Sequence, residues 1–235
     1  MALISEIHYY RETKQGLLQM KRTVLIVAAV IIAIVGFFVA TKPKNPAQNN
    51  SGVQPTSHIE GKGSAGVTLI EYGDYQCPYC QEYYPIVKQV QTQFADQIFL
   101  QFRNFPLESL HKNARAGARA AEAANLQGKF WEMHDALFEN NDPKGATGWV
   151  ASSNPTTYFN QFAQSIGINV EQFKADFASS KVNDLINADL AAGTALKITG
   201  TPTFFLDGKK LDPSPNGVDA FAKVITAEIA AKTKK

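Results

Sequence analysis

The chain has only two cysteines in 235 residues, and they stand three positions apart as Cys77-Pro78-Tyr79-Cys80. Their flanks decide what can fold around them. Val67-Thr68-Leu69-Ile70-Glu71-Tyr72 is apolar, β-branched and bounded by glycines, which is a strand pattern. Pro78 to Phe94 puts Ile86, Val87, Val90 and Phe94 on one face of a helix, with Pro85 predicting a kink. Ile98 to Arg103 reads as a second strand. Strand, helix and strand within about 35 residues form a βαβ unit, which requires parallel strands and a right-handed crossover. Cys77 then falls at the helix N-terminus, where free N–H groups and the positive end of the helix dipole stabilise a thiolate. Pro78 suits the first turn, and Cys80 lies one turn on, placed to resolve a mixed disulfide at Cys77.

Two other readings of the pair are weaker. A zinc site needs four ligands, and His111, the nearest histidine beyond the motif, has no partner at metal spacing. A structural bridge across so short a loop would remove little chain entropy. No metal and no cofactor is expected. With no third thiol to mispair, the composition suits an oxidising compartment. The net charge of +2 argues against nucleic-acid binding. A hydrophobic content of 45% is enough for a sizeable core.

Val24 to Ala40 is an uncharged, almost wholly apolar run of 17 residues. As a helix it spans about 26 Å, and Thr23 with the stems of flanking lysines and Arg22 extends it towards a bilayer core of roughly 30 Å. More positive charge precedes this run than follows it. The expectation is a cytoplasmic stub over 1–22, a transmembrane anchor over 23–40 and everything later outside the cytoplasm. A cleaved signal peptide is the rival, and Phe38 fits poorly three residues before a cut after Ala40. Residues 41–65, rich in Lys, Pro, Asn, Gln, Ser and Gly, read as a flexible linker in which His58 is merely solvated.

The folded domain is expected over 66–235, with a helical insertion at about 112–190. Ala114 to Ala124 is Ala-rich, with Arg and Glu spaced for an exposed face. Thr203 to Leu206, an Asp207-Gly208 turn and Lys209 to Leu211 form a hairpin signal, and Val218 to Ala231 a closing helix. The aromatic residues of the insertion read as core, His134 as a packing or capping residue, and His111 as part of the next helix start. Thr201-Pro202-Thr203 is open to two readings. It is a simple strand start, or a cis peptide facing the cysteines that leaves Thr201 backbone for a substrate strand.

Glu71 to Cys80, Phe102-Arg103-Asn104-Phe105-Pro106-Leu107, Gly128 to His134 and Gly200-Thr201-Pro202-Thr203 occur in an order that resembles the DsbA-like branch of the thioredoxin superfamily. The resemblance covers roughly residues 60–230. It implies an α/β thioredoxin fold (βαβ…ββα) with a helical insertion, here preceded by one transmembrane helix. It further implies Cys77 as the attacking residue, a cis Pro202 against the disulfide, and Glu71 as a buried acid that shuttles the Cys80 proton. Thr201, Pro202, Pro78 and Tyr79 would meet substrate. Tyr79 stands where the strongest oxidants of that family carry His, so the potential should lie between roughly −120 and −270 mV.

The expected activity is extracytoplasmic disulfide formation in exported proteins by a monomer. Its partners would be cysteine-containing exported substrates and a quinone-linked membrane thiol oxidase. The alternatives are a membrane-anchored reductase of exported proteins and a non-redox chaperone or binding module on the same fold.

Overall fold

A computed structural model describes residues 52–234. The proposed stub and anchor, and residues 41–51 of the linker, lie outside the described residues. No helix among those described is long and apolar enough to cross a membrane.

A mixed five-stranded sheet forms the frame. Its strands are β1 (His58–Glu60), β2 (Val67–Gly73), β3 (Ile98–Asn104), β4 (Thr203–Leu206) and β5 (Lys209–Lys210), in the order β1-β3-β2-β4-β5. β2 and β3 pair in parallel through α1 (Pro78–Phe94), as the βαβ pattern requires. The helix runs on through Pro85. β4 returns antiparallel to β2 and turns through Asp207 and Gly208 (φ 48° and 79°), the left-handed pair that a two-residue hairpin demands. α8 (Val218–Lys232) closes the chain and buries Phe221 and Ile225 with Val87, Val90 and Phe94 of α1.

Between β3 and β4 lie α2 (Ala114–Asn125), α3 (Phe130–Glu139), α4 (Gly148–Ala151), α5 (Thr156–Ser165), α6 (Val170–Ala178) and α7 (Ser180–Ala195). Small residues let α2 pack closely. A Cβ on Gly117 would stand 3.2 Å from both Trp149 and Tyr75. The aromatic residues of this block form a core continuous with Tyr75, Cys77 and Cys80.

Two expectations are corrected. The segment before Gly66 is no mere linker. His58, Ile59 and Glu60 pair antiparallel with Phe102, Gln101 and Leu100, and His58 is buried. Its Nε2 lies 2.7 Å from Glu122 Oε1, and its ring stacks on Phe130 with centroids 3.6 Å apart. Nor do the charges of α2 face water throughout. Glu122 is fully buried. Arg115 and Arg119 are half-buried, bonded to the Asn183 side chain and the Phe177 carbonyl respectively.

Candidate functional site

Glu71, Phe102 and Phe204 are register partners across three adjacent strands, so their side chains share one face of the sheet. This places a carboxyl between two phenylalanines at the centre of the fold. Glu71 is 4% exposed. Gly73, two residues on, has no side chain for a physical reason: a Cβ there would meet the Phe102 ring at 2.4 Å and Glu71 Oε1 at 3.3 Å. Burial, followed by the charge of Cys77, pushes the Glu71 carboxyl up to about 8.

The chain leaves β2 through Asp74-Tyr75-Gln76, a loop pinned from several sides. Asp74 Oδ1 accepts from Gln76 N at 2.8 Å, and Asp74 Oδ2 accepts from Leu107 N at 2.9 Å. The Asp74 carbonyl accepts from Cys77 N at 3.0 Å, and its N–H points at Cys80 Sγ at 3.5 Å. The helical block adds three further bonds: Gln76 Oε1 accepts from Asn113 N, Gln76 Nε2 donates to the Val150 carbonyl, and Asn141 Nδ2 donates to the Tyr75 carbonyl. The insertion therefore fixes the loop that presents the cysteines.

Cys77 is the N-cap of α1, with Pro78 in its first turn. Both cysteines are buried and not bonded to each other, while Pro78 and Tyr79 between them are exposed. Cys77 Sγ lies 3.4 Å from the Thr201 carbonyl, which precedes a cis Pro202. Thr201 is buried at the same spot, and its hydroxyl has no hydrogen-bond partner among the described residues. The contact from Cys80 lowers the Cys77 thiol to about 6. Burial opposes this, and Thr201 with the N–H groups of Cys80 and Tyr79 supports it. Burial pushes Cys80 the other way, well above an ordinary thiol, with Cys77 and Glu71 adding to the rise. One sulfur is thus an anion near neutrality, and the other holds its proton one helical turn away. Such a pair can attack a disulfide and resolve the product.

Residues 53–227 match a family described as thioredoxin. The chain belongs to the thioredoxin family. A thioredoxin-like oxidoreductase from Silicibacter pomeroyi is 26% identical, with a TM-score of 0.61 over 74% of this chain and 93% of that one. Oxidised BdbD from Bacillus subtilis is 25% identical, with a TM-score of 0.65 over 75% and 96%. The α-DsbA1 of Wolbachia pipientis, at 18% identity and a TM-score of 0.64 over 77% and 94%, shares the fold. A curated relative of a different name, a Na(+)/H(+) antiporter NhaA 1 of Mycolicibacterium gilvum, is 37% identical over 155 residues, 65% of this chain. The chain spans about a quarter of the length of the antiporters it matches, 24% in that case.

All seven residues singled out from the sequence are placed by this thioredoxin frame. Cys77, Pro78, Tyr79 and Cys80 open α1, Thr201 and Pro202 lie at the Cys77 sulfur or next to it in the chain, and Glu71 is buried on the central strand. The contact between Asp74 and His111 is not legible in the sequence, where His111 reads only as part of a helix start. His111 Nδ1 lies 2.7 Å from Asp74 Oδ2, and this bond raises the imidazole pKa, with the charge of Cys77 a smaller contribution in the same direction. The charge of Cys77 thus reaches a histidine that follows β3 in the chain. His111→Gln is expected to raise the Cys77 pKa by roughly half a unit, less than the one to three units of a charge in contact. The pH profile of Cys77 alkylation measures it, and an unchanged midpoint excludes a role for His111.

Proposed function

We propose that the protein is a membrane-anchored thiol-disulfide oxidoreductase that acts outside the cytoplasm and forms disulfides in exported proteins. The observation that carries the reading is the opposed acidity of Cys77 and Cys80 at one helix N-terminus, beside Thr201. In the oxidised enzyme a substrate thiolate attacks Cys77, forming a mixed disulfide and expelling Cys80 as a thiolate. Glu71 in its acid form returns a proton to Cys80. The substrate's second thiolate then attacks its own mixed-disulfide sulfur and expels Cys77 as the stabilised thiolate. Two substrate thiols have become one disulfide, and the enzyme disulfide has become a dithiol. A quinone-linked membrane thiol oxidase takes up those two electrons, and the protein works as a monomer. Pro78 and Tyr79 offer the exposed surface for substrate, and Thr201 and Pro202 the backbone beside it.

Acidity also bounds the driving force. Each unit by which the nucleophile's pKa falls stabilises the reduced form by about 1.4 kcal/mol, or about 30 mV for a two-electron couple. A thiol at about 6 lies between thioredoxin at about 7 and DsbA at about 3.5. Scaling from their potentials gives roughly −200 to −240 mV. A measured value near −270 mV against glutathione would favour the reductase direction.

Cys77→Ser should abolish both insulin reduction and oxidative refolding of a reduced test protein. Cys80→Ser should accumulate mixed disulfides at Cys77, visible on non-reducing gels. Full activity in both variants would overturn the redox reading and leave a binding module. Ion transport, the activity named for the antiporter relatives, forms no part of this reading.

A further inference from the structure

The thiol-disulfide reading leaves one requirement open. Glu71 must exchange its proton with water, yet it is enclosed by the sheet. Glu71 lines a small cavity together with Tyr84, Lys88, Trp131, His134 and Phe138, among others. About 10 Å³ of this cavity is open to the centre of a water molecule, which is room for about one water beside polar partners. Glu71 and His134 come to it from opposite layers, the central strand β2 and helix α3 of the insertion.

We propose that His134 and a water in this cavity form the proton route between Glu71 and solvent, with Asp135 and Lys88 at its mouth. His134 Nδ1 lies 3.0 Å from Asp135 Oδ1, and Asp135 Oδ2 accepts from Lys88 Nζ at 2.9 Å. The Asp135–Lys88 pair is half-buried and reaches solvent. With Nδ1–H donating to a carboxylate, the ring keeps a basic Nε2, the tautomer that an orienting carboxylate selects. Burial lowers the His134 pKa against the opposing pull of Asp135, so the resting imidazole is neutral and ready to accept. The ionisable groups that face it are Asp135 of its own helix, Lys88 and Tyr84 of α1, Tyr75 of the loop, His58 of β1, and Glu71 of β2 across the cavity.

When Cys80 leaves as a thiolate, it takes the Glu71 proton. The carboxylate recovers one through the water from the tautomer of His134 that carries Nε2–H, whose free Nδ1 takes the replacement proton at the Asp135 mouth; this leaves the Nδ1–H tautomer, ready to accept at Nε2 again. Resolution by Cys80 runs the same path outward. No electrons move along it.

The rings of Tyr75, Phe102, Trp131 and Phe138 also surround His134, so a packing role is the competing explanation. His134→Phe preserves a packing ring and removes the proton carrier. His134→Gln keeps a polar cavity and also cannot titrate. The step to measure is Cys80-dependent release of glutathione from its mixed disulfide with Cys77, in the full chain, from pH 5 to 9. Both variants should slow it about tenfold or more, within reach of the 10²–10⁴-fold typical of positioned proton transfer. Cys77 alkylation rates should be unchanged. In a Glu71→Gln background neither variant should slow release further. Release at the wild-type rate in His134→Gln overturns the route, as does an equal further slowing on top of Glu71→Gln. Should His134→Phe fail to fold, His134→Gln alone decides. The failure of the redox reading looks different: glutathione release would then be insensitive to Cys80→Ser as well.

Discussion

At pH 8, Glu71→Gln should melt roughly 10 °C above the wild type, and at pH 4.5 the two proteins should melt together. The folded-state carboxyl titrates at about 8 and the unfolded one near the ordinary 4.5. Between those values the folded state binds the extra proton, so wild-type stability is fully present below about 4.5 and falls as pH rises towards 8. The shift corresponds to a loss on the order of 4 kcal/mol by pH 8. Gln imitates the neutral acid at every pH and escapes that loss. For a domain of this size 1 kcal/mol moves the melting point by about 2–4 °C, which gives the expected difference. Calorimetric scans under reducing conditions test it, and a pH-independent gap between the two proteins would mean that Glu71 is not the buried acid described. The same substitution removes the proton carrier behind Cys80, so release of mixed disulfides should slow by about 10²-fold or more. A variant gaining stability while losing turnover is what a group retained for chemistry predicts.

How far the sequence could be read depends on the range of the interactions involved. The βαβ unit, the Asp207-Gly208 hairpin and the helix N-terminus at Cys77 are written in local pattern, and all three are present. Thr201 and Glu71 were reachable through the resemblance, because a strand pattern alone does not say which of its faces is enclosed. What escaped was long-range. His58 sits in a stretch of Lys, Pro, Gln and Ser, and a three-residue strand has no periodicity to detect. Its partner Glu122 stands among alanines on a helix whose other charges suggested a wet face, although a carboxylate can be buried wherever donors meet it. His111 and Asp74 are 37 residues apart, and although Asp74 lies within the Glu71 to Cys80 segment, nothing local says which side chain it meets.

The edge strand β1 owes its place to a second buried carboxylate, and Asp189→Asn should detach it. Asp189 Oδ1 accepts from Thr56 N at 2.7 Å, and Oδ2 accepts from Thr56 Oγ1 at 2.7 Å and Asn104 N at 3.0 Å. Three donors converge on a group that only accepts, on helix α7, 133 residues from Thr56. Burial pushes Asp189 up to about 6 against those three bonds, so near neutral pH it is the carboxylate that holds them. An asparagine replaces one acceptor by an NH₂ group, whichever way it is turned. At least one buried donor then faces another donor, at about 1–3 kcal/mol for each group left unpaired. Loss of Asp189 should therefore cost on the order of 3 kcal/mol, concentrated locally rather than spread over the fold. Hydrogen exchange should accelerate at Thr56 to Glu60, and limited proteolysis should cut before Gly66, while Cys77 alkylation keeps its wild-type pH profile. Uniform destabilisation of the whole domain would instead mean that β1 and the sheet open as one unit. The outcome also bears on the site, since Asn104 ends the strand that carries Phe102 against Glu71. The backbone N–H of Asn104 belongs to Asp189, and its side-chain amide donates to Glu122 at 2.6 Å. Two buried carboxylates thus tie the N-terminal strand to β3 on the far side from β2, without touching either cysteine. Their loss should leave the acidity of Cys77 intact while loosening the edge of the sheet that supports it.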